Sequence, residues 1–361
     1  MSVNYHEKLG VNEVINASGK MTILGVSISS EKIVEAQNYA ATHFFEMDSL
    51  SLACSKQIAA LLKAEDALVL SSSASALVLS SAAFISQGEK YNPEKTYQKQ
   101  TILLPKGHNV DFGAPVSMMV AFGGAKVKEV GYANACSGTH VEEQIDESVA
   151  AMLYVDSHHC VQKSHLSVKQ AIAVTHKNGI PIIVDAAAEE DLFSYIEMGA
   201  DVVIYSGGKG INGPSSSAIV VGKQKYIQWI RLQQKGIGRA MKVSKDTLLG
   251  TVAALEEFLE KGLESKESQI SRLTPFITQL NEIAGISAEI VQDGSGRSIY
   301  RAKVKVETKD AGQVVLELRE KSPVVYTREY QTNIGIIEFD IRAVNEKEMN
   351  TIVEKLKIIM A

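Results

Sequence analysis

Residues 201–222 read Asp201-Val-Val-Ile-Tyr-Ser206-Gly-Gly-Lys209-Gly-Ile-Asn-Gly-Pro214-Ser-Ser-Ser-Ala218-Ile-Val-Val-Gly222. An apolar strand runs into a glycine-rich loop that carries one lysine, and a second apolar strand leaves it. Lys209 therefore stands in neither a helix nor a regular strand, among neighbours small enough to leave room for a ligand. Read alone, the stretch is equally a tight turn with a surface lysine. A phosphate-binding GxxxxGK[ST] loop is excluded, because Val203 stands at its first glycine position and Gly210 follows the lysine.

Outward from this loop, short apolar runs recur at helix-sized intervals. They are Ala67–Leu70, Thr101–Leu104, Lys126–Val130, Ala151–Val155, Ile182–Val184, Val202–Tyr205 and Ala218–Val221. Brief buried strands separated by amphipathic segments predict a mostly parallel sheet covered by helices on both faces, an α/β fold. His165–Asn178 is one covering helix, with Val168, Ile172, Val174 and Thr175 inward and Lys169 and Lys177 outward; Gly179 and Pro181 stop it. Helical spacing also marks residues 30–64 and 245–261. Beyond about residue 240, strands at 298–306, 324–327 and 334–340 alternate with helices at 308–321 and 346–360. The expected organisation is an N-terminal segment, 1–20, packed with a small C-terminal α+β domain, 241–361, and a large α/β domain over 21–240.

Two further strand ends carry chemistry. Ile182-Ile-Val-Asp185 places a carboxylate at the carboxyl end of a buried strand, where open α/β sheets hold their ligands. Buried there, Asp185 needs a partner; a protonated pyridine nitrogen is one, and a helix N-cap is the alternative. Leu68-Val-Leu-Ser71-Ser72-Ser73-Ala74-Ser75 is a strand opening into a helix through small hydroxyl residues. Free amides and the positive end of the helix dipole suit a phosphate there, with Ser72, Ser73, Ala74 and Ser75 as its cup; plain serine capping is the alternative. Phosphate cup, carboxylate and lysine in this order, with Asp185 and Lys209 24 positions apart, point together to pyridoxal 5'-phosphate (PLP). Ser206 opens the lysine loop. His108, in Lys106-Gly-His-Asn-Val-Asp111, follows the next strand and could stack on the cofactor ring or be a satisfied loop histidine.

Competing chemistries find less support. No metal is expected: His158-His159-Cys160 is the one tempting run, and in an extended segment its adjacent side chains would diverge. Neither GxSxG nor GxGxxG after a first strand is present. Against 37 Lys and Arg stand 42 Asp and Glu, a net charge of −5, so no nucleic-acid partner is expected. Residues 67–88 lack charge over a bilayer-spanning length, but seven are serine, which favours strand, turn and helix over a membrane span. Three cysteines without a CxxC pair, and Glu7 and Lys8 where a leader needs apolar residues, lead us to expect a cytoplasmic protein.

The chain resembles the bacterial selenocysteine synthase (seryl-tRNA selenium transferase) family of fold-type I PLP enzymes along nearly its whole length. The resemblance is carried by Val14-Ile-Asn-Ala-Ser-Gly19, Ala64-Glu-Asp-Ala-Leu-Val69, Gly123-Gly-Ala-Lys-Val-Lys-Glu-Val-Gly131, Ser206-Gly-Gly-Lys209 with Gly213-Pro214, and Lys242-Val-Ser-Lys245. Within the family, Asn16-Ala-Ser-Gly-Lys-Met21 and Phe44-Phe45-Glu46-Met47-Asp48 are similar to the D-glucosaminate-6-phosphate ammonia-lyase branch. The resemblance implies the aspartate-aminotransferase-like fold, PLP carried by Lys209 as a Schiff base, and a homodimer or larger assembly. It also implies β-elimination from a phosphorylated 2-amino-3-hydroxy sugar acid, with Lys209 as base at the α carbon, giving a 2-keto-3-deoxy acid and ammonia. The motifs single out no acid for the departing hydroxyl. Members that use tRNA carry a further N-terminal helical domain, and this chain begins at the segment preceding the catalytic fold, so a tRNA substrate is not expected. Arg239 and Lys242, after the lysine loop, and Arg328, at a C-terminal strand end, are candidates for substrate anions, with Arg328 for the carboxylate. Other PLP reactions on the same scaffold (aldolase, racemase, sulfur lyase) and a non-catalytic RNA-binding or scaffolding role remain alternatives.

Overall fold

β-branched and aliphatic runs form the strands of a computed structural model that describes residues 3–161, 163–294 and 296–361. In chain order these are β1 (Val14–Ala17), β2 (Asp66–Leu70), β3 (Thr101–Pro105), β4 (Lys126–Val130), β5 (Val149–Val155) and β6 (Ile182–Asp185). They continue with β7 (Val202–Ser206), β8 (Ala218–Gly222), β9 (Ile286–Gln292), β10 (Tyr300–Val306), β11 (Val324–Thr327) and β12 (Ile336–Phe339). The chain divides into two units, Ser27–Lys261 and Met1–Val26 with Gly262–Ala361.

The larger unit holds a seven-stranded sheet in the order β2-β8-β7-β6-β5-β3-β4. β8 is antiparallel to both of its neighbours, and the other six strands share one direction. Side chains alternate between two cores, as the two-residue period of a strand requires. Val69, Leu103, Met152, Val184 and Val203 face one side, packed with Ile33 and Ile58 from the helices Glu31–Thr42 and Met47–Leu61. Leu68, Leu70, Ile102, Leu153 and Ile204 face the other, packed with Leu79, Phe84 and Ile230. Each such side chain removed from water contributes roughly 1.5–3 kcal/mol, so the covering helices are held by the sheet rather than by their own propensity.

Every apolar run of this sheet expected from the sequence is a strand to within two residues. Residues 67–88 resolve into β2, a serine turn and the helix Ser73–Ile85; among the described residues no helix is long and apolar enough to cross a membrane. The covering helix spans Val168–Lys177, capped by Ser167, and buries Val168, Ile172, Val174 and Thr175. The helix Lys245–Lys261, placed with the small domain by its position in the sequence, lies in the larger unit. Leu248, Ala254 and Leu255 bury it in the core that holds Ile33 and Ile58, and the Lys245 ammonium donates to the carbonyls of Ala41 and His43 at the end of the helix Glu31–Thr42.

The smaller unit pairs β1 with β11 in parallel and packs an antiparallel sheet, β12-β10-β9, against helices. It also buries a charge network. Arg301 reaches Asp293 at 2.7 Å and Asp340 at 3.2 Å, and Arg342 reaches Asp340 at 2.9 Å. Asp340 is fully buried. Burial works to raise its carboxyl, yet Arg342 and Arg301 hold it down at about 2.

Candidate active site

Because β2, β3, β5, β6 and β7 share one direction, their carboxyl ends lie along one edge of the sheet. That edge receives Ser71–Ser75 after β2, His108 after β3, Asp156–Cys160 after β5, Asp185 at the end of β6 and Ser206–Lys209 at the end of β7. Residues spread over more than 130 positions are gathered by topology at the place where open α/β sheets bind ligands.

At the β2 end, Ser72 caps the helix Ser73–Ile85. Its hydroxyl accepts from the Ser75 N–H at 3.0 Å, and the Ser75 hydroxyl accepts from the Ser72 N–H, also at 3.0 Å. The box leaves the Ser73 and Ala74 N–H groups, at the positive end of the helix, without a backbone acceptor among the described residues. Serine capping is thus present through Ser72 and Ser75, and it leaves these two amides available to a phosphate. The Ser71 hydroxyl donates to the Met241 carbonyl at 3.2 Å, which ties the segment carrying Arg239 and Lys242 to this turn. Both of those cations are exposed.

His108 is buried and fixed. Its Nδ1 accepts from the Val155 N–H at 3.3 Å, its ring lies edge-on to Tyr154 with centroids 4.5 Å apart, and it stacks on His165 at 5.5 Å. Burial, then His165, pulls it down to about 4, so it is neutral at physiological pH. A side chain at Gly107 would strike the His165 ring at 2.6 Å, so glycine there is what lets the stack form.

Asp185 is buried, with one oxygen accepting from the Ala187 N–H at 3.1 Å. Burial pushes its carboxyl up to about 6, against the opposing pulls of that bond and of Lys209. A buried carboxylate with one hydrogen-bond donor and one cation in range fits a protonated ring nitrogen. Lys209 is half-buried. Burial draws its ammonium below the ordinary lysine range, opposed by Asp185 and Glu189, and a lysine so placed is readied for nucleophile and base chemistry. Its loop is closed by bonds from the Lys209 and Gly210 N–H groups to the Ser206 carbonyl, both 3.3 Å, and from Gly213 to Gly207 at 2.8 Å. A Cβ at Gly207 would lie 2.0 Å from the Ser217 hydroxyl, and one at Gly210 would lie 3.0 Å from the Glu189 carbonyl. These glycines are required by close approach.

Spare helix-end amides, a flat buried imidazole, a buried carboxylate and a desolvated lysine form the donor set PLP requires. Ser72–Ser75 would hold the phosphate, His108 would face the ring, and Asp185 would pair with its nitrogen.

The model of the L-seryl-tRNA selenium transferase family matches residues 14–347. The chain belongs to this family. Among its relatives, D-glucosaminate-6-phosphate ammonia lyase of Salmonella typhimurium is 38% identical over 365 residues, covering 99% of this chain and 98% of that one. The 5'-C-glycyluridine monooxygenase-decarboxylase of a Streptomyces species is 32% identical over 363 residues, covering 98% and 91%. A solved structure of D-glucosaminate-6-phosphate ammonia-lyase, 37% identical, superposes with a TM-score of 0.93 over 100% of this chain and 99% of that one. As a member of the seryl-tRNA selenium transferase family, the protein has the fold-type I architecture and is a PLP-dependent enzyme.

One expectation meets a different geometry. The run His158-His159 does not diverge: the segment turns, with the Cys160 N–H on the Ser157 carbonyl, and the two rings face each other with centroids 3.9 Å apart. Among the described residues no three His, Cys, Asp or Glu side chains are grouped to hold a metal. Arg328 lies in the smaller unit, its Nε 3.6 Å from Glu338 and its guanidinium over the Tyr330 ring at 5.1 Å. Sequence reasoning missed Asp156, Glu189 and Tyr195. The Tyr195 hydroxyl donates to Asp156 at 3.0 Å beside Asp185, and no short motif announces such a pair.

Proposed function

We propose that the protein is an ammonia-lyase that converts D-glucosaminate-6-phosphate, or a closely related phosphorylated 2-amino-3-hydroxy sugar acid, to the 2-keto-3-deoxy acid and ammonia. The observation that carries this reading is the full-length likeness to a lyase of that name. The ordered set at the sheet edge supports it: Ser72–Ser75 for the cofactor phosphate, Asp185 for the ring nitrogen and Lys209 for the amine.

PLP, when bound, supplies a sink for the electrons released at C2. The rest is the work of side chains. Lys209 takes the C2 proton, and its desolvation lowers the cost of presenting a neutral amine. Asp185 would hold a positive charge at the ring nitrogen. His108, neutral and pinned by Val155, holds a plane without competing for protons. Arg239 and Lys242 are read as binding the substrate phosphate, since both are exposed cations on the segment joined to the serine turn. Arg328 is read as the carboxylate partner.

The working unit is read as at least a homodimer in the cytoplasm. Ile28, Tyr39 and Phe44 are large and exposed in the larger unit, which a second copy would cover, and the three cysteines are buried free thiols. Sedimentation of the holoenzyme tests the assembly, and a single species at 39 kDa would refute it. The activity is tested by assaying ammonia and 2-keto acid release from D-glucosaminate-6-phosphate. Turnover of a different amino acid with neither product from this substrate would overturn the reading.

A further inference from the structure

Elimination of water needs two proton transfers, one from C2 and one to the leaving oxygen, and Lys209 accounts only for the first. The loop that follows Asp185 supplies a second group. The Ala186 N–H bonds to the Ile204 carbonyl at 2.9 Å, and the Glu189 N–H bonds to the Ala186 carbonyl at 3.0 Å, so residues 186–189 fold in a tight turn that starts beside β7. Its last residue reaches the lysine loop, where Gly210 lacks the Cβ that would meet the Glu189 carbonyl at 3.0 Å. Glu189 is half-buried, and its charge is felt by three groups from three segments: Lys209, Cys160 and Tyr195.

Five other titratable groups at this edge are committed or mismatched. Asp185 is buried and read as the partner of the ring nitrogen, and Asp156 accepts the Tyr195 hydroxyl. Cys160 is pushed up to about 12 by burial and then by nearby carboxylates, and burial raises Tyr195 as well. His108 is neutral and its Nδ1 is taken.

We propose that Glu189 is the catalytic acid that protonates the departing C3 hydroxyl and is recharged by Lys209. This role rests on the lyase reading above. The C2–H bond breaks with its proton passing to the Lys209 amine and its electrons forming the C2=C3 bond. The C3–O bond breaks as the Glu189 carboxyl proton passes to the oxygen, and water leaves. The Lys209 ammonium then returns one proton to the Glu189 carboxylate, so the enzyme ends with the protons it began with. A carboxyl within electrostatic reach of the base suits such a return.

The test uses the holoenzyme and Glu189→Gln, which preserves shape and removes the acid. On D-glucosaminate-6-phosphate, the variant should release ammonia about 10²–10³-fold more slowly, with cofactor absorbance retained and C2 hydrogen still exchanging with solvent deuterium. On the 3-chloro-3-deoxy analogue, whose leaving group needs no proton, it should stay within about threefold of wild type. Unchanged ammonia release would overturn the role. So would an equal loss on both substrates, or loss of cofactor binding, either of which would make Glu189 a structural residue. If the wild type releases ammonia from neither compound, the lyase reading falls first and takes this role with it.

Discussion

Asp185 and Lys209 stand at the carboxyl ends of adjacent parallel strands, and each moderates what burial does to the other. Burial pushes Asp185 up to about 6 and draws Lys209 down, while the attraction between them opposes both changes. A cofactor whose ring nitrogen is positive would give Asp185 a second cation and ease that duty on Lys209.

Lys209→Ala should therefore abolish turnover, by at least about 10³-fold, and remove the visible absorbance of bound PLP. Borohydride reduction of the wild type followed by peptide mapping should label Lys209. A phosphopyridoxyl group on any other residue would refute the assignment.

The cofactor-free protein should show two opposed pH slopes. Asp185 has a folded pKa raised from 3.8 to about 6, so its stabilisation is full below about 3.8 and is lost as pH rises through 6. His108 has a folded pKa lowered from 6.5 to about 4, so its stabilisation is full above 6.5 and is lost as pH falls through 4. Each is worth on the order of 3 kcal/mol, and between pH 4 and 6 they work against each other. Asp185→Asn should make thermal midpoints climb more steeply with pH in that window, and His108→Phe should make them fall. Identical slopes in all three proteins would refute the burial argument.

Gly207→Ala should destabilise the larger unit by about 1–3 kcal/mol, because the new methyl meets the Ser217 hydroxyl. Turning that hydroxyl away would break its 2.6 Å bond to the Pro214 carbonyl. Urea unfolding gives the number, and a variant as stable as wild type would show that the loop can relax.

In the smaller unit, Asp340→Asn should cost about 3–5 kcal/mol by leaving the buried Arg301 and the half-buried Arg342 against a neutral partner. The carboxylate's own contribution is present above about 3.8 and fades as pH falls through 2. Calorimetry of the variant at neutral pH checks the loss; an unchanged midpoint would mean that solvent reaches the cluster.

The central sheet was legible because its inner strands are buried on both faces, so each of them reads as an apolar run between glycine, proline and serine breaks; β4, at the edge, is the charged exception. β9 escaped notice for the opposite reason: Ser287, Glu289 and Gln292 are exposed, and its pattern resembles a loop. The helix Lys266–Asn281 was hidden by Pro275 within it. Lys209, Asp185 and the serine turn could be found because each ends a readable strand. Glu189 and the Asp156–Tyr195 bond could not, because they depend on which loops the strand order brings together. Helix Lys245–Lys261 likewise changes unit through packing that its own periodicity does not encode.

The last strand of the large sheet, β4, reads Lys126-Val-Lys128-Glu129-Val130 and has a neighbour on only one side. Lys126 and Glu129 are exposed, and Lys128 leans across to Asp146 at 3.0 Å. An open row of backbone donors and acceptors invites a foreign strand, and charges spaced along it repel one. Copies of this chain are thereby steered away from joining along the β4 rim.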